Sequence, residues 1–136
     1  MTHNIEESNV LQLDFNKLAA LAKTDMAVIP VAVQHYHTKD ILIIGYMNEE
    51  ALQETQSSGQ LTLWSTSRNE LWKKGSTSGD ILEVNEIRVN CEQNSLVCLV
   101  KPLGKGVCHT QNSAGKTRQS CYYRLLEGPH LDNQDL

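Results

Sequence analysis

The feature that most constrains the fold is a series of short apolar runs separated by polar turns. The runs span residues 28–34, 41–46, 61–65, 81–89 and 96–100. Runs of this length between turn-forming residues are typical of β-strands. The turn at Thr38–Asp40 joins the first two runs and predicts a hairpin. The pattern therefore predicts an α+β domain, mostly antiparallel β with about two or three short helices.

Helices and chain ends are marked by periodicity and by capping residues. Apolar residues at helical spacing predict a helix over Leu11–Ala22. Asn48 is a predicted N-cap for a second helix that runs to about Ser57 and ends at Gly59. A last strand is predicted at Cys121–Leu126. We assign the domain to residues 10–126, with a disordered tail at 1–9 and a polar tail at 127–136.

Charge and hydropathy limit the partners of the chain. A net charge of −4 argues against general affinity for nucleic acid or for an anionic membrane. No apolar run approaches the length of a membrane span, and the N-terminus lacks the pattern of a secretion signal. We therefore expect a cytoplasmic protein whose thiols stay reduced and free for metal.

Three of the four cysteines lie in polar surroundings, namely Cys91, Cys108 and Cys121. Cys98 differs, because it lies inside an apolar run and is predicted to be a core residue. Three thiolates with an open fourth position are typical of a catalytic zinc site. His109 follows Cys108, where a proton-transfer group would be useful. Spacing alone leaves separate structural thiols as the alternative.

Residues 64–79 form a second polar cluster, rich in hydroxyls, cations and glycine. Such a loop suits a phosphate group, and a tryptophan can stack on a planar base. A solvated hairpin loop whose tryptophans belong to the core explains the same composition. The spacing of a P-loop is missing.

Three blocks of the chain lie in the order and spacing of a known family. They are residues 41–52, residues 63–79, and the set of Cys91, Cys108-His109-Thr110 and Ser120–Arg124. Together they resemble phosphoribosyl-AMP cyclohydrolase, an enzyme of histidine biosynthesis. The resemblance implies hydrolytic opening of the N1–C6 bond of 1-(5-phosphoribosyl)-AMP. It also implies zinc held by the three cysteines, in an intertwined homodimer whose zinc ligands come from both chains.

The resemblance implies roles for individual residues. His109 is the candidate proton-transfer group, and the alternative is that it orients a zinc ligand. Residues suited to phosphate, ribose or adenine contacts are Trp64, Ser65, Ser67, Arg68, Trp72, Lys74, Gly75, Thr77 and Ser78.

The chain departs from the family at its magnesium motif. Asn90, Glu92 and Asn94 stand in place of three aspartates, so magnesium affinity should fall. The stretch between Cys108 and Cys121 is also longer than in the family. We hypothesise that its basic residues, Lys116 and Arg118, partly replace the divalent cation at the substrate phosphates.

Two other functions remain open. The chain could be a divergent paralogue that hydrolyses another N-substituted purine or cyclic amidine, or a non-catalytic zinc-binding dimer. Because the chain stops soon after the last predicted strand, we expect the upstream pyrophosphohydrolase to be a separate protein.

Overall fold

The computed structural model describes the backbone of residues 3–134 and the side chains of residues 5–134. The described elements are three helices and eight strands. In chain order they are α1 (His3–Glu7), α2 (Lys17–Ala22), β1 (Ile29–His35), β2 (Ile41–Met47), α3 (Glu49–Ser58), β3 (Thr62–Ser65), β4 (Glu70–Lys73), β5 (Leu82–Val89), β6 (Leu96–Pro102), β7 (Arg124–Glu127) and β8 (His130–Asn133). The predicted α+β class is confirmed.

The main sheet has four strands in the order β2-β1-β6-β5. The predicted hairpin of β1 and β2 is confirmed, and β5 pairs with β6 in the same antiparallel way. The central pair, β1 with β6, is parallel, so the sheet is mixed. In β1 only Val31 and Val33 are buried, as expected for a strand with one face on the core, whereas β6 buries Leu96 and the run 98–100.

Helix α3 forms as its capping residues predict. The Asn48 side chain accepts a hydrogen bond from the Ala51 N–H at 2.8 Å, and Gly59 ends the helix in the left-handed conformation. The buried Thr55 hydroxyl donates to the Thr62 carbonyl and accepts from the Thr62 N–H, both at 3.0 Å. These two bonds attach α3 to the start of β3.

The core lies between the main sheet, α3 and the β3 strand. Its fully buried members include Val33, Leu63 and Cys98, so the predicted core position of Cys98 is confirmed. Val107 is also in this core and directly precedes Cys108. The backbone around the candidate metal ligand is therefore anchored by apolar packing.

The chain ends differ from the predictions. The first predicted helix is wrong over residues 11–16, because α2 begins at Lys17 and buries no side chain. Phe15 is 86% exposed, so no packed face supports a longer helix.

The two predicted tails contain secondary structure. Residues 3–7 form α1, while residues 1, 2, 135 and 136 of the predicted tails lie outside the described residues. The predicted last strand, Cys121–Leu126, is wrong at its start, because β7 begins at Arg124. The strand β8 lies inside the predicted polar tail and pairs with β7. The Val10–His130 bridge joins the N-terminal segment to this hairpin.

Candidate active site

The polar cluster at residues 64–79 begins as a hairpin. Strand β4, which the sequence analysis missed, pairs with β3 and places Trp72 opposite Leu63. At the turn, the Ser65 hydroxyl accepts the Arg68 backbone N–H at 3.2 Å and lies 3.4 Å from Arg68 Nε. The hydroxyl oxygens of Ser65 and Ser67 are 3.4 Å apart. The two serines therefore position Arg68.

The loop after β4 turns sharply at Gly75. This residue has φ +86°, and a Cβ there would lie 2.3 Å from the carbonyl carbon of Asp80. Only glycine permits both the left-handed backbone and this close approach. The turn buries Lys74 and Asp80, and it leaves the Lys74 ammonium 5.7 Å from the centroid of the Trp72 ring.

The long loop that contains Cys108 is closed by Arg118. The backbone N–H groups of Val107 and Cys108 both donate to the Arg118 carbonyl, at 3.1 and 3.0 Å. Further along, the Cys121 N–H donates to the Leu42 carbonyl of β2 at 2.9 Å. The backbone of Cys121 is thus held on β2, and that of Cys108 on the Arg118 carbonyl.

The thiols of Cys108 and Cys121 are in direct hydrogen-bonding contact. This contact, with the Thr110 hydroxyl 3.0 Å from the Cys108 Sγ, lowers the pKa of Cys108 to about 5. The same contact raises the pKa of Cys121, which retains the shared proton, while the Lys74 charge acts in the opposite direction. The Arg118 guanidinium donates to Thr110 at 3.0 Å, so the Thr110 O–H is free to donate to the sulfur. The pair holds one thiolate at neutral pH.

His109 is mostly exposed, and its Nε2 contacts a carboxylate oxygen of Glu6 on α1. Helix α1 is held nearby because the Tyr123 hydroxyl donates to the Glu6 carbonyl at 2.7 Å. When Nε2–H donates to Glu6, Nδ1 is left unprotonated and can accept a proton.

One cavity of about 650 Å³ joins the two clusters that the sequence analysis singled out. Predicted site residues that line it are Arg68, Trp72, Lys74, Gly75, Thr77, Ser78, Cys108 and His109. Trp64, Ser65 and Ser67 are not among its lining residues, so Trp72 is the tryptophan that faces this space. Lining residues that the sequence analysis missed are Ser76, Asp80, Lys105, Gln111 and Thr117. The available sequence signal for Asp80 and Lys105 was that each is a charged residue next to a glycine and close to one of the two motifs.

Cys91 lies away from this cavity, exposed in the turn between β5 and β6. Cys121 is bonded to β2, and β2 and β5 are opposite edges of the sheet. The turn between β5 and β6 is therefore two to three strand spacings, each of about 4.8 Å, from β2. Thiolates that share one zinc lie within about 4.6 Å of each other, since each Zn–S bond is about 2.3 Å. Cys91 therefore cannot join Cys108 and Cys121 of its own chain, and no cluster of three or more metal-ligating side chains occurs among residues 5–134.

The turn at residues 90–94 uses its own polar groups. Asn90 Oδ1 accepts the backbone N–H groups of Asn94 and Ser95, both at 2.9 Å, and Asn90 Nδ2 donates to Asn94 Oδ1 at 2.6 Å. Both lone pairs of the Asn90 amide oxygen are taken. Glu92 is the one carboxylate among the three positions, and it is exposed. This arrangement does not fit Mg²⁺, which prefers several hard oxygen ligands.

The hypothesis that Arg118 neutralises substrate phosphate is wrong. Arg118 is 1% exposed, forms an ion pair with Glu7 at 2.9 Å, and stacks 3.8 Å from the Tyr123 ring centroid. Lys116 is exposed and does not line the cavity. Arg118 instead joins α1, Thr110 and the C-terminal segment.

Comparisons with known proteins point to one family. Residues 43–123 match the family model for phosphoribosyl-AMP cyclohydrolase. A protein of that name from Desulfatibacillum aliphaticivorans is 36% identical over 90% of this chain and 87% of its own length. Relatives of the same name from Methanosarcina barkeri and Archaeoglobus fulgidus are 42% and 44% identical, over 85% and 79% of this chain and 81% and 93% of their own.

Among residues 3–134, no helix has the length and apolar character needed to cross a membrane.

Proposed function

The chain belongs to the phosphoribosyl-AMP cyclohydrolase family, and from this premise we propose that it hydrolyses the N1–C6 bond of 1-(5-phosphoribosyl)-AMP in histidine biosynthesis. One observation carries the proposal. A single cavity is lined by a thiol with a lowered pKa, an imidazole, and a loop of hydroxyls and cations. These groups match a reaction that needs a metal, proton transfer and binding of a phosphorylated substrate.

The loop side of the cavity suits the nucleotide. Arg68 and Lys74 supply positive charge, and Thr77 and Ser78 supply hydroxyl donors. The ring of Trp72 offers a flat surface for the purine. This side binds the nucleotide, and the thiol and the imidazole face the purine bond that is opened.

The thiol side suits zinc. Cys108 and Cys121 fit two of its positions, because soft sulfur donors already in contact favour this metal. When bound, zinc would supply Lewis acidity that brings the pKa of a water molecule to about 7. His109 would move a proton between the attacking water and the leaving ring nitrogen, through the Nδ1 that is unprotonated when Nε2–H donates to Glu6. Glu6 would hold the imidazole in the tautomer that this transfer needs.

A second copy of the chain would supply the third thiolate. Cys91 is separated from the other two thiols across the sheet, and this separation supports an intertwined homodimer. Val89, 59% exposed, lies at the same corner as Cys91 and would be covered by the partner. An exposed thiol beside an exposed apolar side chain is suited to such an interface.

Complementation between inactive chains tests the function and the shared site together. Cys91→Ser and Cys108→Ser chains are each expected to lack ring opening, followed by absorbance with zinc-loaded protein. Co-expressed and purified by two tags, the mixed dimer should regain activity, because one of its two sites is intact. A random mixture should reach about a quarter of wild-type activity.

The outcomes separate the alternatives. Wild-type turnover without complementation would reject the shared site but keep the activity. No wild-type turnover of phosphoribosyl-AMP, with turnover of another N-substituted purine, would assign the divergent function. Bound zinc without turnover of any of these substrates would support the non-catalytic dimer.

A further inference from the structure

Lys105 lines the cavity, although no motif of the chain points to it. It lies in the loop between β6 and Cys108, three residues before that thiol. Its side chain is exposed to the cavity, and it has no ion pair among residues 5–134. Its ammonium is therefore available to a ligand.

The backbone of Lys105 is fixed from both sides. Its N–H donates to the Asp80 carboxylate at 2.8 Å, and its carbonyl accepts from the Gln119 side chain at 2.7 Å. Gly104 permits this approach, because a Cβ there would lie 2.4 Å from the same Asp80 oxygen. A cation whose backbone is anchored loses less entropy on binding than one on a free loop.

The charges of the cavity favour an anion. The cavity is lined by three cationic side chains, Arg68, Lys74 and Lys105, and one carboxylate, Asp80, in a chain whose net charge is −4. Arg68 also forms an exposed ion pair with Glu70 at 3.5 Å, so Lys74 and Lys105 are the cations without a carboxylate partner among residues 5–134. Asp80 is buried and already accepts the Lys105 N–H. The positive charge is thus local to this cavity, and it is divided between the β4 loop and the Lys105 loop.

We infer that Lys105 is a phosphate-binding residue of this site, on a different loop from Arg68 and Lys74. The inference rests on the proposed function for the identity of the substrate, which carries two phosphate groups. Cations on separate segments of the chain can contact two phosphate groups at once. Lys105, and not the loop residues Lys116 and Arg118, takes the charge-neutralising role.

Steady-state kinetics with phosphoribosyl-AMP test the inference. Lys105→Ala should raise KM about 10- to 100-fold, the loss expected for one charge-assisted contact, and should change kcat little. Lys105→Arg should keep KM near the wild-type value. Lys101→Ala is the matched control, because Lys101 is exposed on β6, outside the cavity, and carries the same charge. The salt dependence of KM should weaken in Lys105→Ala alone.

Calorimetric titration with AMP separates this inference from the proposed function. If the wild-type chain binds AMP but does not turn over phosphoribosyl-AMP, weaker AMP binding by Lys105→Ala still supports Lys105 as a phosphate ligand. A wild-type KM and wild-type AMP affinity in Lys105→Ala would overturn the inference. So would an equal loss in Lys101→Ala, or a wild-type chain that binds neither ligand.

Discussion

The cavity beside Cys108 and the β5–β6 turn that holds Cys91 differ in what their polar groups contact. In the cavity, cations, hydroxyls and a thiolate face open space, and their backbone is held by the core and by Arg118. In the turn, the side chains of Asn90 and Asn94 bond to each other and to the turn backbone. The cavity is therefore prepared for a ligand, whereas the turn contributes an exposed thiol and little else.

The family resemblance implies both zinc and magnesium, but the two regions suit these metals unequally. Thiols in contact, one of them ionised at neutral pH, are ready ligands for a soft metal. Amide oxygens already engaged in hydrogen bonds are poor ligands for a hard one. We propose that the chain keeps the zinc half of the family site and has lost the magnesium half.

The largest expected effect comes from breaking the thiol pair. Cys108→Ser should lower kcat/KM by at least about 10³-fold and abolish zinc binding, because the metal supplies several kcal/mol of transition-state stabilisation. Zinc content by mass spectrometry and ring opening by absorbance measure this. Cys98→Ala is the control, since it removes a buried thiol outside the site and should cost only about 1 kcal/mol of stability. Wild-type zinc content in Cys108→Ser would contradict the assignment.

Substitution of Gly75, in the loop that lines the cavity after β4, should have a smaller effect. Gly75→Ala should lower the free energy of unfolding by about 3 kcal/mol, because it adds left-handed strain and a clash with the Asp80 backbone. Displacement of Lys74 should also lower kcat/KM by about 10²-fold.

Gly59→Ala is the matched control for that prediction. Gly59 also has a positive φ, +75°, but a Cβ there would meet no atom within 4 Å. Denaturant unfolding should show a loss of about 1 kcal/mol, with unchanged kcat/KM. Equal losses in the two variants would mean that the contact with Asp80 carries no energy.

The smallest effect concerns the β5–β6 turn. With zinc-reconstituted wild-type protein, added Mg²⁺ should change the rate by less than about twofold, because the amide oxygens are engaged. The double variant Asn90→Asp with Asn94→Asp should become sensitive to Mg²⁺, since it restores anionic ligands. Strong stimulation of the wild type would show that Glu92 and its neighbours still suffice.

Local signals in the sequence predicted much of the fold. Asn48 and Gly59 mark the ends of α3, because capping depends on residues next to each other in the chain. The apolar runs mark most strands of the main sheet. The parallel pairing of β1 with β6 was not predictable in this way, because strand order depends on long-range contacts that local periodicity does not encode.

In the candidate site, too, the residues with local signals were predicted and those that depend on long-range contacts were not. Cys108, His109 and the loop that starts after β4 stand in recognisable motifs, so sequence reasoning found them. Asp80 and Lys105 were missed because their roles come from one hydrogen bond between distant loops. Arg118 was misread because its charge was visible but its partners, Glu7 and Tyr123, were not.

The sequence by itself determined the chemistry of this protein: which thiols, cations and hydroxyls are present, and the family to which their order belongs. The tertiary structure decided which of them meet. It brought Cys108 and Cys121 into contact and kept Cys91 at the opposite edge of the sheet. The physical reason is that residue identity sets what a group can bind, whereas strand order and backbone hydrogen bonds set the distances over which it can act.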